Sequence, residues 1–115
     1  MPYLDISVAP VSTDSRDAYL VHTRETTPLF KEHGALSVTD SWGDDLPDGK
    51  LTDFKKAVAL QEGETVAVSW ITWPDRVTRD AAWENLMQDD RMMKLDMPFD
   101  GSRMIMGGFE MLSDS

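Results

Sequence analysis

The sequence predicts an α+β fold: a four-stranded antiparallel sheet with two helices on one face, in the order strand, helix, strand, strand, helix, strand. Three observations predict it. Side chains of alternating polarity mark strands near both termini and in the middle. Two segments between the strands carry capping residues and helical spacing. The chain has 115 residues, 41% of them hydrophobic, which suffices for one core and not for two. Residues 1–115 are therefore read as a single domain.

Tyr3 to Val11 opens with Leu4, Ile6 and Val8 on one side and Tyr3, Asp5 and Ser7 on the other, a period of two; Pro10 limits its far end. Thr13, Asp14 and Ser15 offer N-cap oxygens to a helix. Along that helix Tyr19, His22, Thr26, Leu29 or Phe30, and His33 share one face, and Gly34 stops it. Pro28 cannot donate to the carbonyl of Arg24. It predicts a kink, or a restart with Thr27 as the cap. Ala35 to Trp42 is the second strand, with Leu36, Val38 and Trp42 at alternate positions. The stretch from Gly43 to Lys50 is dense in turn formers and reads as a loop.

Phe54 to Leu60 fits either a strand extension or a helical turn. Thr65 to Trp73 is the clearest strand, β-branched and aromatic almost throughout, as a central strand buried on both faces would be. Pro74 ends it. Asp75 caps a second helix through about Gln88, with Val77, Ala81 and Met87 in one stripe. Asp89 to Met97 is irregular or briefly helical. Pro98-Phe99-Asp100-Gly101 reads as a turn, Met104 to Leu112 as the last strand, and Ser113 to Ser115 as a frayed end. This order is the split βαβ, or ferredoxin-like, arrangement. Two helices cover only one face of such a sheet. Yet its strands offer apolar side chains on both, so a second copy packed on the bare face is expected, giving a two-fold homodimer.

Composition excludes several function classes. With 11 Lys+Arg against 21 Asp+Glu the net charge is −10, which disfavours nucleic acid and anionic membranes as partners. The absence of Cys removes disulfides, thiol nucleophiles and Cys-built zinc sites. No apolar run approaches the roughly 20 residues of a membrane span. The N-terminus has neither a basic stretch nor an apolar signal core, so a soluble cytoplasmic protein is expected.

Three segments carry a family resemblance: Trp42-x-Asp44-Asp45-x-Pro47-Asp48-Gly49-Lys50-x-Thr52-Asp53-Phe54; Ser69-Trp70-Ile71-x-Trp73-Pro74 with Arg79-Asp80 following; and Met97-Pro98-Phe99-Asp100-Gly101-x-Arg103-Met104-Ile105-x-Gly107-Gly108-Phe109. Pro28 to Glu32 and Gly34 to Leu36 also fit. Together they resemble the YbaA-like family of small bacterial domains of unknown function. The resemblance implies a dimeric α/β barrel built from two ferredoxin-like units and brings no catalytic residue. The wider barrel group includes cofactor-free monooxygenases and small-molecule lyases, but a fold alone does not transfer function.

Several constellations invite chemistry. Asp44, Asp45, Asp48 and Asp53 surround Gly49, but Leu46 stands where a second ligand of an EF-hand would be, so the segment reads as a turn and no metal is expected. Tyr3, Trp42 and Trp70, with Arg79 and Arg103, are candidates to line a ligand pocket; the same aromatics could simply fill core or interface. Gly107-Gly108 in the last strand marks a bulge or room for something close by. Asp5 is a carboxylate inside an apolar strand. It is held in a buried ion pair, with Arg79 or Arg103, or in a hydrogen bond to Tyr, Ser or Trp that fixes the strand register, or it is a base of perturbed pKa.

His22 and His33 lie three turns apart, about 16 Å, too far to share a metal; His22 is a candidate for proton transfer and His33 suits the helix end. Seven of the eight Met fall between Met87 and Met111, as core, dimer or pliable pocket filling would require. The expected protein is a homodimer binding a small, largely apolar molecule without a cofactor. The alternatives are a cofactor-independent monooxygenase- or isomerase-like enzyme using Asp5 or His22, and an acidic interaction module.

Overall fold

The structure, a computed structural model, describes residues 1–114; of the expected frayed end, Ser115 lies outside the described residues. Four strands, β1 (Tyr3–Ser12), β2 (Ser37–Trp42), β3 (Glu64–Trp73) and β4 (Ile105–Glu110), form one antiparallel sheet in the order β2-β3-β1-β4. The helices are α1 (Arg16–Glu32), α2 (Phe54–Ala57), α3 (Arg76–Leu86) and α4 (Asp90–Met93). The ferredoxin-like fold is the one the residue pattern predicts.

Antiparallel register decides what each face carries. Tyr3, Asp5, Ser7, Ala9 and Val11 of β1 pair with Trp73, Ile71, Ser69, Ala67 and Thr65 of β3, and this is the face under the long helices. Val11 and Ala67 pack against Tyr19 of α1, while Ile71 and Trp73 pack against Ala82 of α3 with Trp83 and Phe30 alongside. Asp53 and Asp75 cap α2 and α3 by accepting the backbone N–H of Lys56 and Thr78. Gly34 ends α1 with a φ of +108°, a value that strains any side chain.

Several expectations need correction. Pro10 does not end β1: the strand runs on to Ser12. Its carbonyl accepts the Asp100 N–H on the β4 flank, so its missing N–H falls on the side where pairing with β4 has already stopped at Val8. Pro28 neither breaks nor restarts α1, which is one element over 16–32. Leu36 precedes β2 and is exposed. The turn after α4 runs from Asp100 to Arg103, two residues later than expected, because the Asp100 carboxylate accepts from Ser102 N–H and Arg103 Nε. In β4 the register with β1 is continuous from Ile105 to Glu110, so the two glycines make no bulge.

The inward stripe of α3 also differs. Val77 and Met87 are 80% and 76% exposed and Ala81 faces solvent, while Ala82 and Leu86 are buried, with Arg79 and Trp83 on the same side. Nor is the far face of the sheet entirely bare. Val8 and Val66 are covered there by Val58, with Leu46 and Leu60 alongside, from the loop around α2. The uncovered part is the other half, where Trp70, Ile105 and Phe109 are exposed beside half-buried Leu4 and Ile6.

Candidate functional site

Two adjacent rows of the helix-facing side of the sheet carry the polar chemistry. Across the strands one row reads Val38, Ile71, Asp5, Gly108. The next reads Asp40, Ser69, Ser7, Met106. Rows on one face stand about 7 Å apart.

Asp5 is 6% exposed and accepts from three side chains. The indole Nε1–H groups of Trp73 and Trp83 both reach Oδ2 at 2.8 Å. Arg79 adds Nη2 to Oδ1 at 2.8 Å and Nε at 3.1 Å to each oxygen. An ionised carboxylate has about four acceptor positions, and here they are filled. Asp5 is therefore the anion of a buried ion pair, with no lone pair left for a substrate proton. Its charge in turn pushes the Arg79 guanidinium pKa further up, through the hydrogen bonds to Asp5. Arg79 also donates to Asp80 at 2.8 Å and lies 5.2 Å from the Tyr3 ring centroid, a cation–π distance. Gly108 makes room for this knot. A Cβ there would stand 2.4 Å from the Tyr3 hydroxyl and 2.8 Å from Arg79 Nη2.

The second row is left open. A cavity of about 240 Å³ lies between sheet and α1. Ser7, Ala9, Asp40 and Ser69 form its floor; Tyr19, His22, Thr26 and Phe30 of α1 form its roof; Met92, Met97, Phe99 and Met104 close the side. Small floor residues create the space, since Ser and Ala leave most of the depth between sheet and helix unfilled. Among the described residues, neither Ser7 nor Ser69 makes a side-chain hydrogen bond. The Tyr19 hydroxyl donates to Asp40 Oδ1 at 3.5 Å, and burial, reinforced by Asp40, pushes the Tyr19 phenol pKa up. His22 packs against Tyr19 and edge-on to Phe99, at centroid separations of 5.9 and 5.5 Å. Its Nδ1 lies 2.9 Å from the Asp96 carbonyl oxygen. A carbonyl can only accept, so Nδ1 carries a proton and Nε2 is the nitrogen not engaged by that contact.

Of the residues singled out from sequence, Asp5 and His22 border this cavity. Trp42 packs tilted against Tyr19, 5.7 Å between ring centroids, and lines a neighbouring depression with Asp40 and Arg16. Trp70 is 37% exposed on the opposite face of the sheet, and Tyr3 and Arg79 belong to the Asp5 knot. Arg103 pairs with neither Asp5 nor the cavity. It makes a bidentate bond to Glu64, 2.8 Å on each arm, and holds the Ala59 carbonyl, where φ is +48°. In the acidic loop, Asp53 is the α2 cap and also accepts the Gly49 N–H, Asp48 pairs with Lys55, and Asp44 and Asp45 are exposed. His33 caps α1 as expected, with its Nε2 buried 4.0 Å from Asp89.

Trp83, Asp40, Ser7, Thr26 and Phe99 were missed. Asp40 has a readable signal, since it is a polar residue within the alternating series Leu36, Val38, Trp42.

A sheet covered on one side by two long helices, with a cavity between the layers, defines an α+β ferredoxin-like protein. Its structural neighbours are of the same class. One is a dimeric ferredoxin-like protein from an uncultured marine organism, with a TM-score of 0.66 and 10% identity over 99% of this chain and 98% of that one. Another is a candidate antibiotic biosynthesis monooxygenase from Bacillus cereus, with a TM-score of 0.58 and 10% identity over 99% and 96%. At such identities the likeness is one of fold. The chain belongs to the DUF1428 family of unknown function, which matches residues 2–101. It is 48% identical over 116 aligned positions to the uncharacterized protein YbaA of Escherichia coli strain K12, covering 99% of both chains. No helix among the described residues is long and apolar enough to cross a membrane.

Proposed function

We propose that the protein is a homodimer that binds a small, largely apolar molecule in the cavity between sheet and α1 of each protomer. The cavity itself carries this reading. Its walls are aromatic and methionine side chains, and its few polar groups converge on one floor row, the composition expected of a small-molecule site. An interior filled by side chains would instead have favoured an acidic interaction module. Isotope-labelled methionine methyls test the reading. Titration with 2-phenylethanol should shift Met92, Met97 and Met104 in the unmodified protein and leave them still in Ser69→Phe, which fills the floor. Methyls that ignore every small aromatic probe would overturn it.

Dimerisation is supported by the bare half of the outer face and by the dimeric state of a structural neighbour. A second copy laid there would cover Trp70, Ile105 and Phe109. Sedimentation should give twice the chain mass, and Phe109→Glu should halve it. A monomer at micromolar concentration would refute the dimer and leave the cavity reading untouched.

A second reading has its own observation. With Nδ1–H held by the Asp96 carbonyl, the His22 ring leaves Nε2 as its site for taking a proton, on a side chain that lines the cavity. In a cofactor-independent enzyme of the oxygenase or isomerase type His22 would take the proton, and Asp5 would serve as the anchor of the fold. His22→Gln should then abolish turnover of any substrate found while sparing its binding.

A further inference from the structure

We infer that the molecule this cavity is built for carries a protonated amine on a compact aromatic or alicyclic body, with the ammonium against Asp40. The inference rests on the binding reading above and names its ligand class.

Charge at the cavity is lopsided. The lining contains no Lys or Arg. Asp5 is already matched by Arg79. Among the described residues Asp40 has no cationic partner within ion-pair distance. Among those residues its one side-chain hydrogen bond is the long 3.5 Å contact from Tyr19, made to Oδ1 alone. An anionic ligand would meet a carboxylate and find no Lys or Arg in the cavity lining. A neutral alcohol could donate one hydrogen bond. An ammonium could donate to Asp40 and to the Ser69 or Ser7 hydroxyl in the same row and gain the Coulomb attraction as well.

The walls point the same way. The Tyr19, His22 and Phe99 rings follow one another at under 6 Å between centroids, beginning at the residue that touches Asp40. Aromatic rings stabilise a cation lying over their faces and also accommodate the apolar body attached to it. Methionines on the side wall adapt to the shape of that body. A chain carrying −10 overall also raises the local concentration of cations.

Three probes of one shape and different charge test the inference: phenethylamine, 2-phenylethanol and 3-phenylpropionate, titrated calorimetrically at pH 7 and followed on the methionine methyls. Phenethylamine should bind about tenfold more tightly than the alcohol, the difference between a charge-assisted and a neutral hydrogen bond, and the propionate more weakly than either. Asp40→Asn should bring amine and alcohol to within about twofold. If that variant does not fold, the ranking of the three probes on the unmodified protein decides alone. Equal affinity for amine and alcohol, or tightest binding of the propionate, would overturn the amine inference and leave the cavity reading standing. Methyls silent to all three would remove both.

Discussion

Asp5 and Asp40 stand on the same side of the same sheet, in neighbouring rows, Asp5 bonded to α3 and Asp40 to α1. Asp5 is nearly inaccessible, and two indoles and a guanidinium take up its oxygens. Asp40 is half-buried, borders the cavity, and receives one long bond. Burying a carboxylate costs several kcal/mol unless donors replace its hydration. At Asp5 the fold supplies all of those donors, so the charge is locked into the structure. At Asp40 the fold leaves donor positions empty at the edge of a space, and a ligand can supply what is missing. Burial of a charged side chain therefore does not by itself mark a functional one. What separates the two is whether its hydrogen bonds are already made.

The largest expected effect falls on the locked row. Asp5→Ala leaves the Arg79 charge and two indole N–H groups without their acceptor and should cost about 3–5 kcal/mol, read from the urea midpoint. A loss under about 1 kcal/mol would mean that water replaces the carboxylate freely and that the two rows do not differ in kind. Gly108→Ala attacks the same knot from the edge strand. Its new methyl would overlap the Tyr3 hydroxyl and Arg79 Nη2 and should cost about 1–3 kcal/mol. Partial relief by Tyr3→Phe, which removes the hydroxyl met at 2.4 Å and keeps the ring carbon met at 2.7 Å, would confirm the close approach.

The locked row also explains where the sequence misleads. The order of elements, the central strand and the polarity of α1 were legible because their inward residues are apolar or aromatic at the right period. On α3 they are not. Arg79 and Trp83 turn inward to Asp5, so the apparent stripe of Val77, Ala81 and Met87 points to solvent. A helix that buries an arginine has its apolar periodicity reversed on inspection. Asp5 was legible as a carboxylate needing a partner, but choosing Arg79 over Arg103 required register and distance. The cavity was least legible, because it is made of what is small: Ser7, Ala9 and Ser69 look unremarkable until Phe99 and the methionines, distant in sequence, close over them. Half of the outer face was expected bare and is covered, because no period in the chain foretells that Val58 folds back onto Val8 and Val66.

Acid should loosen the wall of the open row. The segment that brings Met92, Met97 and Phe99 to the cavity is pinned at its ends by Asp89 and Asp100. Hydrogen bonds from the Arg91 side chain hold the Asp89 carboxyl down to about 2, and those from the Ser102 hydroxyl and then Arg103 hold Asp100 at about 2. Both lie below the ordinary 3.8. A carboxylate lowered on folding stabilises the fold above its unfolded pKa and loses that contribution as pH falls through its folded value. The wall should therefore weaken from about pH 4 toward pH 2 and not between pH 5 and 8. Methionine methyl line widths of Met92 and Met97 across that range report it. Broadening centred near pH 6 would implicate a histidine instead.

The smallest effect sharpens the comparison most. Asp40→Asn keeps an acceptor for Tyr19, removes one charge from a strongly acidic chain, and breaks no ion pair. Its stability should stay within about 0.5 kcal/mol of the parent, as for substitutions away from committed networks. The same carboxylate chemistry would then cost several kcal/mol to remove in one row and almost nothing in the next. If Asp40→Asn instead destabilised the fold as Asp5→Ala does, Asp40 would be a second structural anchor, and the open row would owe its emptiness to packing and not to a ligand.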